Sequence, residues 1–410
     1  MKKRVVITGY GVVSSVGIGE TEYWDSLLHG KNNINPIQAF ESSLYRSSLG
    51  AEPDWEKVNL LLDKVKKFEV SEETTKLSIL STHEAFQKTG LDTDDYDSSR
   101  VGCVVGTLCS SSRQQERLWK DNADSEVYKD DAEDSTVVSY QADAVAQHFC
   151  IEGPTSLVST ACASFIDAYG FALDLIRDGK CDIVAVVGGD IISEAVHAGF
   201  NCVYSITQEV PRPFDSNRTG FVIGEGAATV ILESEEHALS RSCHIYAEAM
   251  GYGGSNSAHH LTSPSDSGEP EALAMKRALA DASLDAVHID YVLAHGTGTQ
   301  KNDTTELLAV SQALQTSSRN HKLKITSIKG SLGHCMGAAG AMSLIATLKS
   351  IQDNIIPMTA NVKQLDPAFD SVSNIELVWK KSLEMPINFV LVNSLGFAGN
   401  NAVAIIGRYP

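Results

Sequence analysis

The stretch that most constrains this chain is Thr155 to Gly189, TSLVSTACASFIDAYGFALDLIRDGKCDIVAVVGG. Thr155 to Ser159 reads as a short extended run, followed by the capping residue types Ser159 and Thr160. From about Cys162 the pattern turns helical, with Phe165, Ala168, Ala172, Leu175 and Ile176 at three- and four-residue steps. Gly179 marks the stop, and Ile183 to Val187 is apolar and β-branched, a buried strand. A lone thiol, Cys162, therefore sits where a strand turns into a helix. A helix N-terminus offers unpaired N–H groups and partial positive charge, which favour thiolate and can hold an oxyanion. Taken alone, the segment is also compatible with Cys162 as a small buried hydrophobe, the usual fate of a free cysteine.

The pattern around this unit is an alternation of strands and helices. Arg4 to Thr8 is an expected strand, with a glycine-rich connection over Gly9 to Gly19. Asn32 to Asp63 reads as irregular surface, and a helix ends near Gly90. Val101 to Gly106, Ala227 to Leu232, Tyr291 to Ala294, Leu323 to Ile328, Phe389 to Val392 and Ala402 to Ile406 read as further strands. Glu271 to Ala282 is an amphipathic helix with Leu273, Ala274, Ala278 and Leu279 on one face. Leu323 to Gln352 repeats the design of Thr155 to Lys180: strand, tight small-residue turn, Ala-rich helix. The first turn carries Cys162 and the second His334. An α/β chain of two similar halves follows, with the boundary set at residues 1–246 and 247–410.

Composition limits what such a chain can do. A formal charge of −19 argues against nucleic acid and against anionic membrane surfaces. Eight cysteines include no CxxC, and no Cys/His run has zinc-ligand spacing, so a reducing, cytoplasmic setting is expected and no metal. Nothing approaches the ~20 apolar residues of a membrane span. Asp121 to Asp134, with seven acidic residues, reads as a solvated face.

Chemistry is expected at the strand ends. His295 follows a strand and is trailed by GTGT; Lys329 follows another, and His334 lies five residues later. Asp303 and Glu306 open the next helix. Each has an ordinary explanation: a hydrogen-bonded histidine, a surface carboxylate, a plain turn. Recurrence is what counts, because strand ends of a parallel α/β sheet converge on one crevice. A cysteine with two imidazoles suits acyl transfer, and two N–H donors on one carbonyl oxygen would stabilise an enolate. A cysteine protease needs one histidine and an orienting Asn or Asp.

With these residues in place the chain resembles the β-ketoacyl synthases of type II fatty acid and polyketide systems. The resemblance rests on RVVITGYGVVSSVG, VSTACAS, PRPFDSNRTGFVIGEGA, AHGTGTQKND, SIKGSLGHCMGAAG and NSLGFAGNN, in order over nearly the whole length. It implies a thiolase-like, five-layered αβαβα fold, a dimer, and a Cys-His-His site. Cys162 would be acylated, and His295 and His334 would hold the malonyl thioester and promote loss of carbon dioxide. Lys329 and Glu306 would fix His334 and the local charge balance. Phe397 would gate the site, its N–H joining that of Cys162 in an oxyanion hole. Thr297 and Thr299 would bind the phosphopantetheine arm, and Lys64, Lys66 and Lys67 would dock an acidic acyl carrier protein. The only prosthetic group implied is that carrier's phosphopantetheine. Three features depart from the commonest pattern: Ala398 in GFAGNN, the QKND segment, and Phe165 early in its helix, which would narrow the acyl pocket or fill core. QKND is closer to polyketide ketosynthase subunits, including aromatic and aryl polyene types. Alternatives are a ketosynthase working only beside a chain-length factor, a non-catalytic scaffold, and a degradative thiolase using Cys335.

Overall fold

A computed structural model describes residues 2–65, 70, 72–91, 97–122, 137–314, 321–372 and 374–410. The first half contributes strands β1 (Val5–Ser14), β2 (Val101–Gly106), β3 (Thr155–Val158), β4 (Ile183–Asp190) and β5 (Gly226–Ser234). The second contributes β6 (Ala247–Asn256), β7 (Tyr291–Leu293), β8 (Leu323–Thr326), β9 (Ile375–Leu377), β10 (Phe389–Leu395) and β11 (Asn400–Gly407). The orders are β1-β5-β4-β2-β3 and β6-β11-β10-β7-β8, the latter extended by β9. In each, the first two pairings are antiparallel and the next two parallel. One topology has been used twice. Among the described residues the two sets of strands are joined into one sheet by the antiparallel pairing of β1 with β6, at Val6↔Glu248 and Ile7↔Ala247.

Helices fill the remaining layers: α1 (Trp55–Leu62), α2 (Glu73–Thr89), α3 (Ser164–Arg177), α4 (Glu269–Asp281), α5 (Gln300–Leu314) and α6 (Ala339–Asp353). The apolar strands need cover on both faces. On β4, Val184 and Val186 face a central core shared by α3 and α6, while Ala185 and Val187 face an outer core with α2. On the other sheet Val390 and Val392 point inward, and Leu391 packs outward with α4 and α5. The result is five layers, αβαβα, as the resemblance implied. Cys162 and His334 sit just ahead of the two central helices, so both halves deliver their groups to the same place. Among the described residues no helix is long and apolar enough to cross a membrane.

Four local expectations are corrected. Gly9 to Gly19 is not a connection: β1 runs unbroken to Ser14, with a bulge between Ile7 and Gly9. Its glycines answer a packing demand, since a Cβ on Gly9 would lie 2.2 Å from the Ala85 carbonyl oxygen of α2, and one on Gly11 2.1 Å from that of Ser81. The irregular stretch contains α1, whose N-terminus is capped by the Asp54 side chain accepting the Lys57 N–H at 3.0 Å. The helix after the nucleophile begins at Ser164 rather than Cys162. Leu273 leaves the buried stripe of α4, which runs through Ala274, Met275, Ala278 and Leu279; it is 43% exposed. Lys66, Lys67 and most of the acidic run lie outside the described residues; Lys64 is exposed in the turn after α1.

Phe165 fills core. It is fully buried, and a Cβ at Gly106 would stand 2.5 Å from its Cα. Backbone meets backbone there, so Gly106→Ala cannot be absorbed by a side-chain rotation. The variant is expected to lose about 1–3 kcal/mol of stability in denaturant unfolding, by pushing α3 off β2. Unchanged stability would contradict this packing.

Candidate active site

The turn after β3 is a strained elbow. Ala161 stands at φ 56°, in the left-handed region that a non-glycine residue enters only when held there. Ser164 holds it: its Oγ donates to the Ala161 carbonyl at 2.6 Å and accepts the Thr160 N–H at 2.9 Å. From the other half, Ser394 at the end of β10 donates its hydroxyl to the Cys162 carbonyl at 2.6 Å. The sulfur is thereby fixed from both halves.

His334 lies beyond β8, after Gly333 at φ 71°. Its N–H donates to the Val222 carbonyl at 2.7 Å, and its carbonyl accepts from Gly224 at 3.0 Å. Its ring meets Phe221 edge-on, with centroids 5.2 Å apart. Nε2 is 3.1 Å from Cys162 Sγ. The Met336 N–H points at Nδ1, at 3.2 Å. A backbone N–H can only donate, so Nδ1 is the acceptor and the proton of the neutral ring belongs on Nε2, facing sulfur.

His295 is held through its backbone. Glu306, on α5, accepts the His295 N–H at 2.7 Å and the Gly296 N–H at 2.8 Å. Asn393 donates its side-chain amide to the same carboxylate at 2.8 Å. Lys329 Nζ donates to the His295 carbonyl at 2.6 Å. The two imidazole centroids are 5.1 Å apart at 82°. Glu306 and Lys329 were expected to fix His334; they hold His295 instead. The glycine-rich turn after β7 buries N–H and C=O groups that no strand partner satisfies, and these two side chains take them. Asn393, one residue past the expected Phe389 to Val392 strand, completes this carboxylate's shell.

Burial sets the charges. The Cys162 thiol is pushed up to about 11 by desolvation, against the opposing pull of the Lys329 ammonium and the backbone N–H groups of Phe397 and Cys162. The helix end was expected to favour thiolate; it does pull that way, and burial outweighs it. His295 and His334 are both held well below the ordinary imidazole range, first by burial and then by Lys329. Burial also lowers Lys329 and raises Glu306. The free site thus holds a thiol and two neutral rings.

Phe397 supplies an N–H to the sulfur and sets its ring against Phe200, with centroids 5.6 Å apart. The next residue, Ala398, stands at φ 60°, and its N–H donates to the Leu261 carbonyl at 2.7 Å. Thr297 and Thr299, their hydroxyls 3.0 Å apart, line a cavity of about 460 Å³ together with Cys162, His295, His334 and Phe397. Lys64 is not among its lining residues. Among the described residues, the donor atoms of Cys162, His295 and His334 form a cluster lying within 4.8 Å of one another, close enough for a metal ion. Cys335 is fully buried with its thiol pushed up to about 12 by desolvation, and its sulfur points to the Glu225 carbonyl.

Family models described as "Beta-ketoacyl synthase, N-terminal domain" and "Beta-ketoacyl synthase, C-terminal domain" match residues 2–238 and 246–363. The granaticin polyketide putative beta-ketoacyl synthase 1 of Streptomyces violaceoruber is 33% identical over 100% of this chain and 99% of its own. The 3-oxoacyl-[acyl-carrier-protein] synthase 2 of Coxiella burnetii is 31% identical over 99% of each. Among solved structures, the ishigamide ketosynthase/chain length factor superposes with a TM-score of 0.91 at 31% identity, covering 100% of both chains. A type II ketosynthase in complex with its acyl-carrier protein and bound to the hexaketide (AntDE:AntF) gives 0.90 at 27% identity, also over 100% of both.

A thiol near 11 has a testable signature. Inactivation of the free protein by iodoacetamide at Cys162 is expected to accelerate about tenfold per pH unit between roughly pH 7 and 9, because only thiolate reacts. A plateau below pH 8 would mean that Lys329 and the backbone donors outweigh burial.

Proposed function

This chain belongs to the beta-ketoacyl synthase family, and we propose that it joins malonyl carrier protein to an acyl chain on Cys162 by decarboxylative Claisen condensation. The observation that carries this reading is the meeting of one sulfur and two neutral imidazoles in a cavity of about 460 Å³ that Thr297, Thr299 and Phe397 also line. In the first half-reaction Cys162 loses its proton and takes the acyl group, and the departing pantetheine thiolate gains a proton. The carbonyl oxygen becomes an oxyanion on the way, and the N–H groups of Cys162 and Phe397 are its donors. In the second, the bond from the malonyl carbon to its carboxylate breaks and carbon dioxide leaves. The electron pair becomes an enolate, whose oxygen is held by His295 and His334. The carbanion attacks the Cys162 thioester, the new carbon–carbon bond forms, and the cysteine thiolate is expelled and reprotonated.

Each further group has a place in this reading. Burial, assisted by the Lys329 charge, keeps both rings unprotonated, so that they act as neutral donors. Glu306 positions His295. Thr297 and Thr299 receive the phosphopantetheine arm, and the exposed Lys64 with Lys66 and Lys67 docks the acidic carrier on charge alone. No metal or organic cofactor enters any step; the carrier's pantetheine brings both substrates. The two-unit reading, 1–246 and 247–410, is supported by the repeated strand order. The free thiols support a reducing cytoplasm as the working compartment.

The product is a β-ketoacyl carrier protein of a fatty acid or type II polyketide system. The QKND segment, and likeness to a ketosynthase/chain length factor, favour the polyketide side and a heterodimer with a chain-length homologue over a homodimer.

Two variants separate the half-reactions. Cys162→Ala is expected to abolish acyl transfer and condensation while malonyl carrier protein still loses carbon dioxide. His334→Ala is expected to keep acylation and lose decarboxylation by about 10²–10³-fold. Condensation by the cysteine variant, or undiminished decarboxylation by the histidine variant, would contradict the assignment.

A further inference from the structure

Asp190 ends β4 and takes no part in the chemistry above. It is fully buried. Its carboxylate accepts the Thr107 hydroxyl at 2.7 Å, the Cys109 N–H at 2.7 Å and the Leu108 N–H at 2.9 Å. These donors make up the corner that follows β2. The Gly337 N–H, three residues after His334, is a weaker fourth. Burying a carboxylate is costly, and here it is met by donors from two separate turns.

The second turn is pressed onto the first. A Cβ on Gly337 would lie 2.7 Å from Asp190 Oδ2 and 2.6 Å from the Leu108 nitrogen. Met336, between His334 and Gly337, stands at φ 46°. A long side chain stays in that conformation only where its surroundings hold it. Its Sδ lies 3.5 Å from Cys109 Sγ, on the same corner. Its N–H is the donor to His334 Nδ1. The chain of contacts is continuous: the 107–109 corner, Asp190, the Met336–Gly337 turn, the His334 ring, the Cys162 sulfur.

We propose that Asp190 is a positioning residue that sets the tautomer of His334. By clamping the Met336–Gly337 turn against the corner after β2, it keeps the Met336 N–H on Nδ1 and the ring proton on Nε2. The consequence for turnover rests on the function proposed above; the tautomer does not.

The test is Asp190→Asn in the full-length protein labelled with ¹⁵N-histidine. One carboxylate oxygen becomes an NH₂ group facing N–H donors, which loosens the clamp at constant size. In the unaltered protein the His334 ring, assigned by its loss in His334→Ala, is expected as a single Nε2–H tautomer. In Asp190→Asn it is expected to shift toward a mixture with Nδ1–H. Malonyl decarboxylation is expected to fall about tenfold or more in kcat, with KM for malonyl carrier protein nearly unchanged. An unshifted tautomer overturns the proposal, whatever the rate does. A shifted tautomer at full rate upholds it and counts against the role given to His334. Should Asp190→Asn not fold, Thr107→Val removes one donor to the same carboxylate. A smaller shift in the same direction is then expected, and no shift overturns the proposal.

Discussion

The arrangement depends on one contact that crosses the whole molecule: the His334 Nε2–H directed at Cys162 Sγ over 3.1 Å. Neither partner can be placed by its own half alone. The sulfur is presented by an elbow strained at Ala161 and is steadied by Ser394 of the second half. The imidazole is presented by a turn of the second half and is steadied by Val222 and Gly224, which belong to the first. Duplicated sheets with two central helices between them are the scaffold that makes this reciprocal support geometrically available.

Electrostatics then decides what the groups are rather than where they are. The helix end, the Phe397 N–H and the Lys329 ammonium all favour a thiolate, and desolvation opposes them and wins. The same burial, now assisted by Lys329, keeps both histidines neutral. A site that rests as a thiol beside two neutral rings avoids storing an exposed nucleophile. Lys329 is thus better understood through its field than through any bond to a reacting atom, and its Nζ hydrogen bond to the His295 carbonyl also anchors the backbone that carries a ring.

Much of this was legible in the residues. Cys162, His295 and His334 each lie among small residues in the turn region that follows a strand, and in a parallel sheet such ends meet. The repeated strand-turn-helix unit announced the duplication, while the five layers were implied by the family resemblance. What escaped was tertiary in origin. Gly9 and Gly11 look like turn residues, but they exist because α2 lies on β1 with no space for a Cβ. Glu306 and Lys329 were visible as site residues, while their target was not, since that depends on which backbone groups the HGTGT turn leaves unpaired. The helix end pulls toward thiolate as expected, but the burial that outweighs it cannot be read from a helix-capping pattern. Asp190 carries no signal in the sequence: an aspartate closing an apolar strand looks like any loop residue until its four donors are in place.

The central claim is that Cys162 carries an acyl group which a decarboxylated malonyl unit then attacks. Intact-protein mass spectrometry addresses it directly, with the chain, acyl carrier protein loaded with a panel of starters, and malonyl carrier protein. The account predicts a single acyl adduct on Cys162 that disappears on adding malonyl carrier protein, as a carrier-bound β-ketoacyl product two carbons longer than the starter appears with equimolar carbon dioxide. An extended carrier product formed without a Cys162 adduct, or an adduct that malonyl carrier protein leaves untouched, would contradict it.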